Sequence, residues 1–330
     1  MTGNTGIAET NGLGRYCLLA VTALLLAACE SPLVLDEVEQ SLQSPIRRTD
    51  NFQALSVHES VVVAVGGGGV ILVSADGGGG WQRRELPSWP SFIDVTHCDD
   101  GLFAALAFEG EVWLAEDQGA SWHRSELATE EAPQAIQCDP GGMLWVVGSF
   151  STISTSRDRG ASWETSSLDE DVIFTDIQFF DERHAYIAGE FGSLLKTTDA
   201  GVNWEYLAPM PDEFYPQSMY FADPDHGWVA GLGGVALATE DGGRTWQTQS
   251  TGSLVTLYTL VKVGAQLFVT GGEGAIFRYG DGAWSPVDHG QPFRLYLRGI
   301  ASLPDNRLIV GGPGGVLQIL SVTELVGGSL

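Results

Sequence analysis

Six tryptophans, Trp81, Trp122, Trp163, Trp204, Trp246 and Trp284, follow one another at intervals of 41, 41, 41, 42 and 38 residues. Self-similarity at such a period signals a supersecondary unit stacked many times, because a unit that small cannot bury its apolar face alone. Each of the first five tryptophans closes a similar octet. The octets are Ser74-Ala-Asp76-Gly-Gly78-Gly-Gly-Trp81, Ala115-Glu-Asp117-Gln-Gly119-Ala-Ser-Trp122 and Ser156-Arg-Asp158-Arg-Gly160-Ala-Ser-Trp163, then Thr197-Thr-Asp199-Ala-Gly201-Val-Asn-Trp204 and Thr239-Glu-Asp241-Gly-Gly243-Arg-Thr-Trp246. A sixth copy is worn down to Tyr279-Gly-Asp281-Gly-Ala-Trp284. The spacing fits a β-hairpin corner, in which the Asp carboxylate accepts backbone N–H groups, Gly supplies a positive φ and Trp packs flat on the hairpin it closes.

Two more strand-like runs precede each octet. The second-strand copies run over 61–66, 102–108, 144–150, 185–191, 227–232, 267–273 and 307–313, which gives seven blades. The mature chain has no long stripe of period 3.6, so α/β folds are excluded in favour of an all-β, seven-bladed β-propeller of four-stranded antiparallel blades. The seventh blade, from about residue 292 to 322, has three strands and no fourth bearing Trp. A segment between Leu33 and Arg48 is expected to supply the missing strand and close the ring, the usual way a propeller removes its sheet edges.

The octet resembles the Asp-box, or bacterial neuraminidase repeat, which is structural in the families that carry it. The run from Ala188 through Gly192 and Lys196 to Trp204, with His184 ahead of it, resembles the photosystem II stability/assembly factor family, as does the copy from His226 to Trp246. The resemblance covers about residues 51–320. It implies a seven-bladed propeller that acts without enzymatic activity, as an assembly factor holding a membrane protein; relatives outside photosynthesis include lipoproteins and proteins thought to accompany envelope transport systems. The photosynthetic members present an Arg-rich surface, whereas this chain has 16 Lys and Arg against 42 Asp and Glu, a net charge of −26. What carries over is the role of partner-holding platform. That charge also excludes nucleic acid and repels anionic lipid.

The N-terminus reads as an address. Arg15 precedes an apolar run, 16–28, too short to cross a bilayer. It ends in Leu26-Ala27-Ala28-Cys29, which resembles the bacterial lipobox, with ordinary secretory cleavage beside a bystander cysteine as the alternative. The expected organisation is a signal peptide over 1–28, a tether and ring-closing segment over 29–50, and the propeller over 51–330. By the resemblance, Cys29 carries the lipid and the protein faces the periplasm from the bacterial envelope, the outer membrane being favoured over the inner although Glu30 is ambiguous. Cys98 and Cys138, 40 residues apart, fall at equivalent places in adjacent blades, so they form either a disulfide or two small buried hydrophobes.

Enzyme and cofactor chemistry find little support. One Asp per turn falls short of the ligands Ca²⁺ needs, and two isolated Cys without clustered His build no Zn site, so no metal or cofactor is expected. The Gly runs 66–69 and 77–80 precede no helix and are turns rather than phosphate cradles. Asp-boxes also occur in sialidases and some glucanases, which makes a carbohydrate-binding or glycoside-hydrolase-like protein the alternative reading. A partner is placed on the face shared by the turns after the second strands and the loops between blades. Phe108, Glu109, Phe150, Glu190, Phe191 and Glu273 project there, with Asp94, Asp176, Tyr258, Tyr296 and Arg298 at strand starts near the same mouth. Trp89, Phe92, Phe174, Phe214 and Tyr215 fall in the connecting loops. Acids with aromatic anchors suit a basic or amphipathic peptide, the alternative being that each aromatic packs between blades and each acid is merely solvated.

Overall fold

The computed structural model describes residues 1–3, 42–290 and 294–322. The expected signal peptide and the Cys29 lipidation site therefore lie outside the described residues. From Pro45 onward the chain forms one compact unit. Among the described residues 27 strands make seven antiparallel sheets. Blade 1 is β1 (Phe52–His58), β2 (Val61–Gly66), β3 (Val70–Ser74) and β4 (Gln82–Arg84). Blade 2 is β5 (Phe92–His97), β6 (Phe103–Ala107), β7 (Glu111–Ala115) and β8 (His123–Glu126); blade 3 is β9 (Pro133–Cys138), β10 (Leu144–Gly148), β11 (Thr152–Ser156) and β12 (Glu164–Ser167). Blade 4 is β13 (Phe174–Phe179), β14 (Ala185–Gly189), β15 (Ser193–Thr197) and β16 (Glu205–Tyr206); blade 5 is β17 (Pro216–Phe221), β18 (Gly227–Gly231), β19 (Val235–Thr239) and β20 (Gln247–Ser250). Blade 6 is β21 (Leu257–Val263), β22 (Gln266–Gly271), β23 (Ile276–Gly280) and β24 (Ala283–Pro286), and blade 7 is β25 (Gly299–Ser302), β26 (Arg307–Gly312) and β27 (Val316–Ser321).

Strands follow chain order across every blade, and the first strands of successive blades lie side by side around the axis, β25 meeting β1. Second strands are largely apolar and buried, Val-Val-Val-Ala-Val-Gly in β2 and Phe-Ala-Ala-Leu-Ala in β6 being buried throughout, because a neighbouring blade covers each face. Fourth strands such as β8 and β20 are polar and mostly exposed. The core is thus a series of interblade layers. Val63, Val65 and Ile71 of blade 1 pack with Phe92, Phe103 and Trp113 of blade 2, and Phe52, Leu55 and Leu72 pack with Ala301, Leu303 and Ile309 to join blade 1 to blade 7.

Closure by the expected N-terminal strand is not shown among the described residues. The seventh sheet has three strands among the described residues, and residues 45–48 of the segment expected to complete it form bends and a turn rather than a strand. Residues 42–44 are not strand either, and 33–41 lie outside the described residues. The described residues supply an isolated bridge between Asn51 and Pro313, a bond from Gly315 N–H to Asp50 C=O (2.9 Å), and Ile46 packed, like Leu317 and Ile319, against the layer between blades 1 and 7. The side chain of Asp50, 3% exposed, is held by Arg83 at 2.5 Å and by the Arg47 N–H at 2.7 Å, which fixes this entry segment to blade 1.

The Asp-boxes form the corners between third and fourth strands. In blade 1 the Ser74 hydroxyl donates to Asp76 (2.7 Å) while accepting the Gly78 N–H (2.8 Å), and Asp76 accepts the Gly80 N–H (2.8 Å). Ser156, Asp158 and Gly160, Thr197, Asp199 and Gly201, and Thr239, Asp241 and Gly243 repeat the pattern; in blade 2 Ala115 replaces the hydroxyl and Asp117 still accepts the Ser121 N–H at 2.8 Å. These hydrogen bonds hold all five Asp carboxyls below the usual range, Asp158 and Asp241 at about 2. The box glycine has a second duty. A Cβ on Gly78 would sit 2.8 Å from Ile319 of blade 7, one on Gly119 3.1 Å from Val73 of blade 1, and one on Gly160 2.5 Å from Leu114 of blade 2, and those on Gly201 and Gly243 would run closer still into Trp145 and Leu194. Each box is therefore a joint to the preceding blade as well as a turn, and the first box helps close the ring.

Cys98 and Cys138 are disulfide-bonded, with Cα atoms 5.2 Å apart, and tie blade 2 to blade 3 at the ends of their innermost strands.

Candidate interaction face and axial cavity

The first strands do not begin regularly. Six of the seven slip register at the start, between Phe52 and Ala54, Phe92 and Asp94, Phe174 and Asp176, Pro216 and Ser218, and Leu257 and Leu260, and in β9 opposite Val147 and Gly148. A bulge re-aims a side chain and leaves a backbone group without its ladder partner. Neighbouring blades supply the partner. Asp94 accepts the Ile136 N–H of β9 at 2.9 Å, Asp176 accepts the Met219 N–H of β17 at 2.8 Å, and the Ser218 hydroxyl accepts the Leu260 N–H of β21 at 3.2 Å. The second oxygens of Asp94 and Asp176 cap Val95 and Ile177, each at 2.8 Å.

These residues surround an axial cavity of about 120 Å³, lined by Gln53, Asp94, Gln134, Asp176, Gln217, Tyr258, Arg298 and others drawn from all seven blades. Burial pushes the Asp176 carboxyl up to about 7, against the pull of the Met219 N–H and with the Asp94 carboxylate adding to the rise. Asp94 is also raised by burial, offset by the N–H groups of Ile136 and Val95 and by Arg298. Arg298 stands over the Tyr258 ring at 5.8 Å, and Tyr258 meets Tyr296 at 5.8 Å between centroids, so the basic group is steered by aromatic faces rather than by a direct ion pair among the described contacts.

Around the mouth of this cavity the turns after the second strands are bonded to the loops between blades. Phe108 N–H donates to Ser91 C=O (2.9 Å), Glu190 N–H to Ile173 C=O (2.9 Å) and Leu232 N–H to Tyr215 C=O (3.4 Å), which places both sets on one face. Seven large apolar side chains are exposed there: Phe108, Phe150, Phe191 and Leu232 from the turns, and Trp89, Leu254 and Leu295 from the loops. Phe150 and Phe191 also have φ of 51° and 59°, a left-handed backbone that bulky side chains rarely adopt. Away from this face the propeller's exposed large apolar side chains among the described residues are Val202, in an Asp-box, and Tyr206 on the outer strand β16.

The predicted partner residues divide by what holds them. Phe108, Phe150, Phe191 and Glu273 are exposed at turn tips. Glu109 and Glu190 are loop clamps as well, accepting the Ser91 N–H at 2.9 Å and the Ile173 N–H at 3.2 Å. Asp94, Asp176, Tyr258 and Arg298 are gathered at the axis. Three of the loop aromatics are core rather than surface: Phe92, Phe174 and Phe214 are at most 8% exposed, because the chain turns inward at the bulges and wedges them between blades. Sequence reasoning missed Leu232, Leu254 and Leu295; Leu232 stands where the equivalent turns carry Gly67, Phe108, Ser149, Glu190 and Gly272, so Phe108 of blade 2 was the available signal. Charge on this face is divided too. Acids such as Glu109, Glu131, Glu170, Glu190, Glu213 and Glu273 run along blades 2 to 6, while Arg47, Arg48, Arg294 and Arg298 cluster at blade 7. Among the described residues no group of three or more His, Cys, Asp or Glu could hold a metal ion, and no helix is long and apolar enough to cross a membrane.

Residues 114–211 match the family model described as Photosynthesis system II assembly factor YCF48. Among solved structures, one described as YCF48 bound to D1 peptide is similar with a TM-score of 0.70 at 16% identity, over 84% of this chain and 93% of that one. YCF48 from Cyanidioschyzon merolae gives a TM-score of 0.58 at 20% identity, over 70% and 82%. Virginiamycin B lyase from Staphylococcus aureus, an enzyme, gives 0.72 at 13% identity, over 83% and 95%, a likeness of fold alone. No curated protein matches in sequence. The chain is a seven-bladed β-propeller of Asp-box repeats, similar to the YCF48 photosystem II assembly factors and carrying the match to their family model across its second, third and fourth blades.

Proposed function

We propose that this propeller is a non-enzymatic platform that holds a membrane-protein partner during assembly of an envelope complex, and that it is tethered to the periplasmic side of a bacterial membrane through lipidated Cys29. The observation that carries the reading is the one-sided distribution of exposed apolar side chains. Trp89, Phe108, Phe150, Phe191, Leu232, Leu254 and Leu295 ring the axial mouth, and exposed aromatic clusters rimmed by polar groups mark protein-binding surfaces. Two of them are kept at an unfavourable backbone geometry, which fits a functional rather than a stabilising role. The occupant we assign is an extended amphipathic segment with basic residues, matching the acids of blades 2 to 6. The structure of YCF48 bound to D1 peptide supports a peptide ligand for a propeller of this shape.

The test is affinity capture from gently solubilised envelopes, with a C-terminal tag and Cys29 intact, followed by mass spectrometry. A stoichiometric membrane protein in the eluate supports the platform. Recovery of the propeller alone contradicts it. Metabolic labelling with a palmitate analogue tests the anchor separately, and label that survives Cys29→Ser would overturn that part.

A further inference from the structure

The sixth Asp-box is shortened to the two-residue turn Asp281-Gly282, with φ of 52° and 78° at the tip of the β23–β24 hairpin. In blades 1 to 5 the box glycine presses on the preceding blade, Gly201 for example against Trp145 near the start of β10. Trp228 holds the matching place in β18, and no box glycine presses on it, a Cβ on Gly282 meeting nothing within 4 Å. The result is a recess of about 170 Å³ between blades 5 and 6, on the face opposite the apolar ring, lined by His226, Trp228, Glu240, Gln247, Gln249 and Tyr279 among others.

We infer that this recess is a binding site for a neutral sugar residue. Trp228 and Tyr279 form an angled aromatic wall, their centroids 5.2 Å apart and their planes at 63°. Such a wall takes the C–H face of a pyranose. The Trp228 Nε1–H is buried without a hydrogen-bond partner in the protein, an unanswered donor on a residue that lines the recess. Trp246 also has an unpartnered indole nitrogen, but it does not line the recess. Gln249 is committed, receiving Trp284 Nε1–H at 3.1 Å and donating to the Tyr279 hydroxyl at 3.3 Å, which leaves that hydroxyl free to donate onward. The exposed Gln247 and Glu240 add an amide and a carboxylate. Adjacent hydroxyls, each both donor and acceptor, answer that mixture. An anion would meet Glu240 and the net charge of −26, and a cation would leave the indole N–H unanswered.

The test follows the Trp228 indole N–H resonance of the full chain with ¹⁵N-labelled tryptophan, assigned by its loss in Trp228→Phe. Glucose, galactose, N-acetylglucosamine and choline are each titrated to the order of 10 mM, where a millimolar site is largely filled. The account expects a saturable shift with at least one sugar, weakened at least tenfold in Gln247→Ala, with the other indole resonances unmoved by that variant in the absence of sugar. No shift with any sugar, a shift with choline alone, or a sugar shift untouched by Gln247→Ala would overturn it. Partner capture through the opposite face is read separately, so neither result decides the other.

Discussion

The two ends of the propeller use the same carboxyl group in opposite ways. At the Asp-box end five aspartates stand in solvent, surrounded by hydroxyl and backbone N–H donors, and their carboxyls are lowered. At the axial mouth Asp94 and Asp176 accept N–H groups as well, yet burial outweighs those bonds and raises them. Position relative to water, not hydrogen-bond count, sets the sign. The glycines and phenylalanines draw the same contrast. The box glycine combines positive φ with close approach to the preceding blade, whereas at two turns of the other end positive φ falls on exposed Phe. One end is built for the ring, the other for something that covers it.

The largest effect is expected from adding a methyl at a joint. Gly201→Ala places a Cβ into Trp145 at a φ of 74°, combining left-handed backbone strain with overpacking, and should cost about 2–5 kcal/mol in denaturant unfolding. A loss under about 0.5 kcal/mol would break the claim that the box is an interblade joint. Reducing the Cys98–Cys138 bond, which closes a 40-residue loop, comes next, with a destabilisation of about 2–4 kcal/mol.

At the opposite end the sign changes. Phe150→Asn and Phe191→Asn should leave stability unchanged or raise it by up to about 1 kcal/mol each, because Asn tolerates the left-handed region and no buried contact is lost. Partner capture should fall. Loss of both stability and capture would mean that these rings are structural.

The smallest expected effect is in pH dependence. For Asp-box carboxyls lowered in the folded state, stability is present above the ordinary Asp range and is lost as pH falls from about 4 toward 2. For Asp176, pushed up to about 7, the folded state binds more protons than the unfolded one between about 4 and 7, so its contribution declines as pH rises across that window. Stability measured against pH should therefore climb out of the acid range and then sag toward neutrality, and Asp176→Asn should flatten the sag. An unchanged slope in that variant would show that Asp176 titrates in the ordinary carboxyl range.

The sequence made the blades legible because the box needs fixed chemistry at fixed offsets: Asp199, Gly201 and Trp204 cannot trade places and still close a corner. It placed Asp94, Asp176, Tyr258 and Arg298 near one mouth, because the repeat assigns each an equivalent strand start. Closure was harder to read. The entry segment fastens through Asp50, Arg83 and Ile46, contacts between residues distant in sequence that leave no periodic trace. The bulges that turn Phe92 and Phe174 inward also went unread, since a register slip depends on the partner strand. For the same reason the recess beside Trp228 was invisible until the missing box was set against its five complete copies.

The most direct measurement of the central claim compares partner capture, at equal folded protein, for Phe108→Ser/Phe150→Asn/Phe191→Asn and for Val202→Ser on the Asp-box face. The account predicts at least a tenfold loss of the captured membrane protein with the triple variant and none with Val202→Ser. Equal capture by both would contradict it and move the binding surface away from the axial mouth.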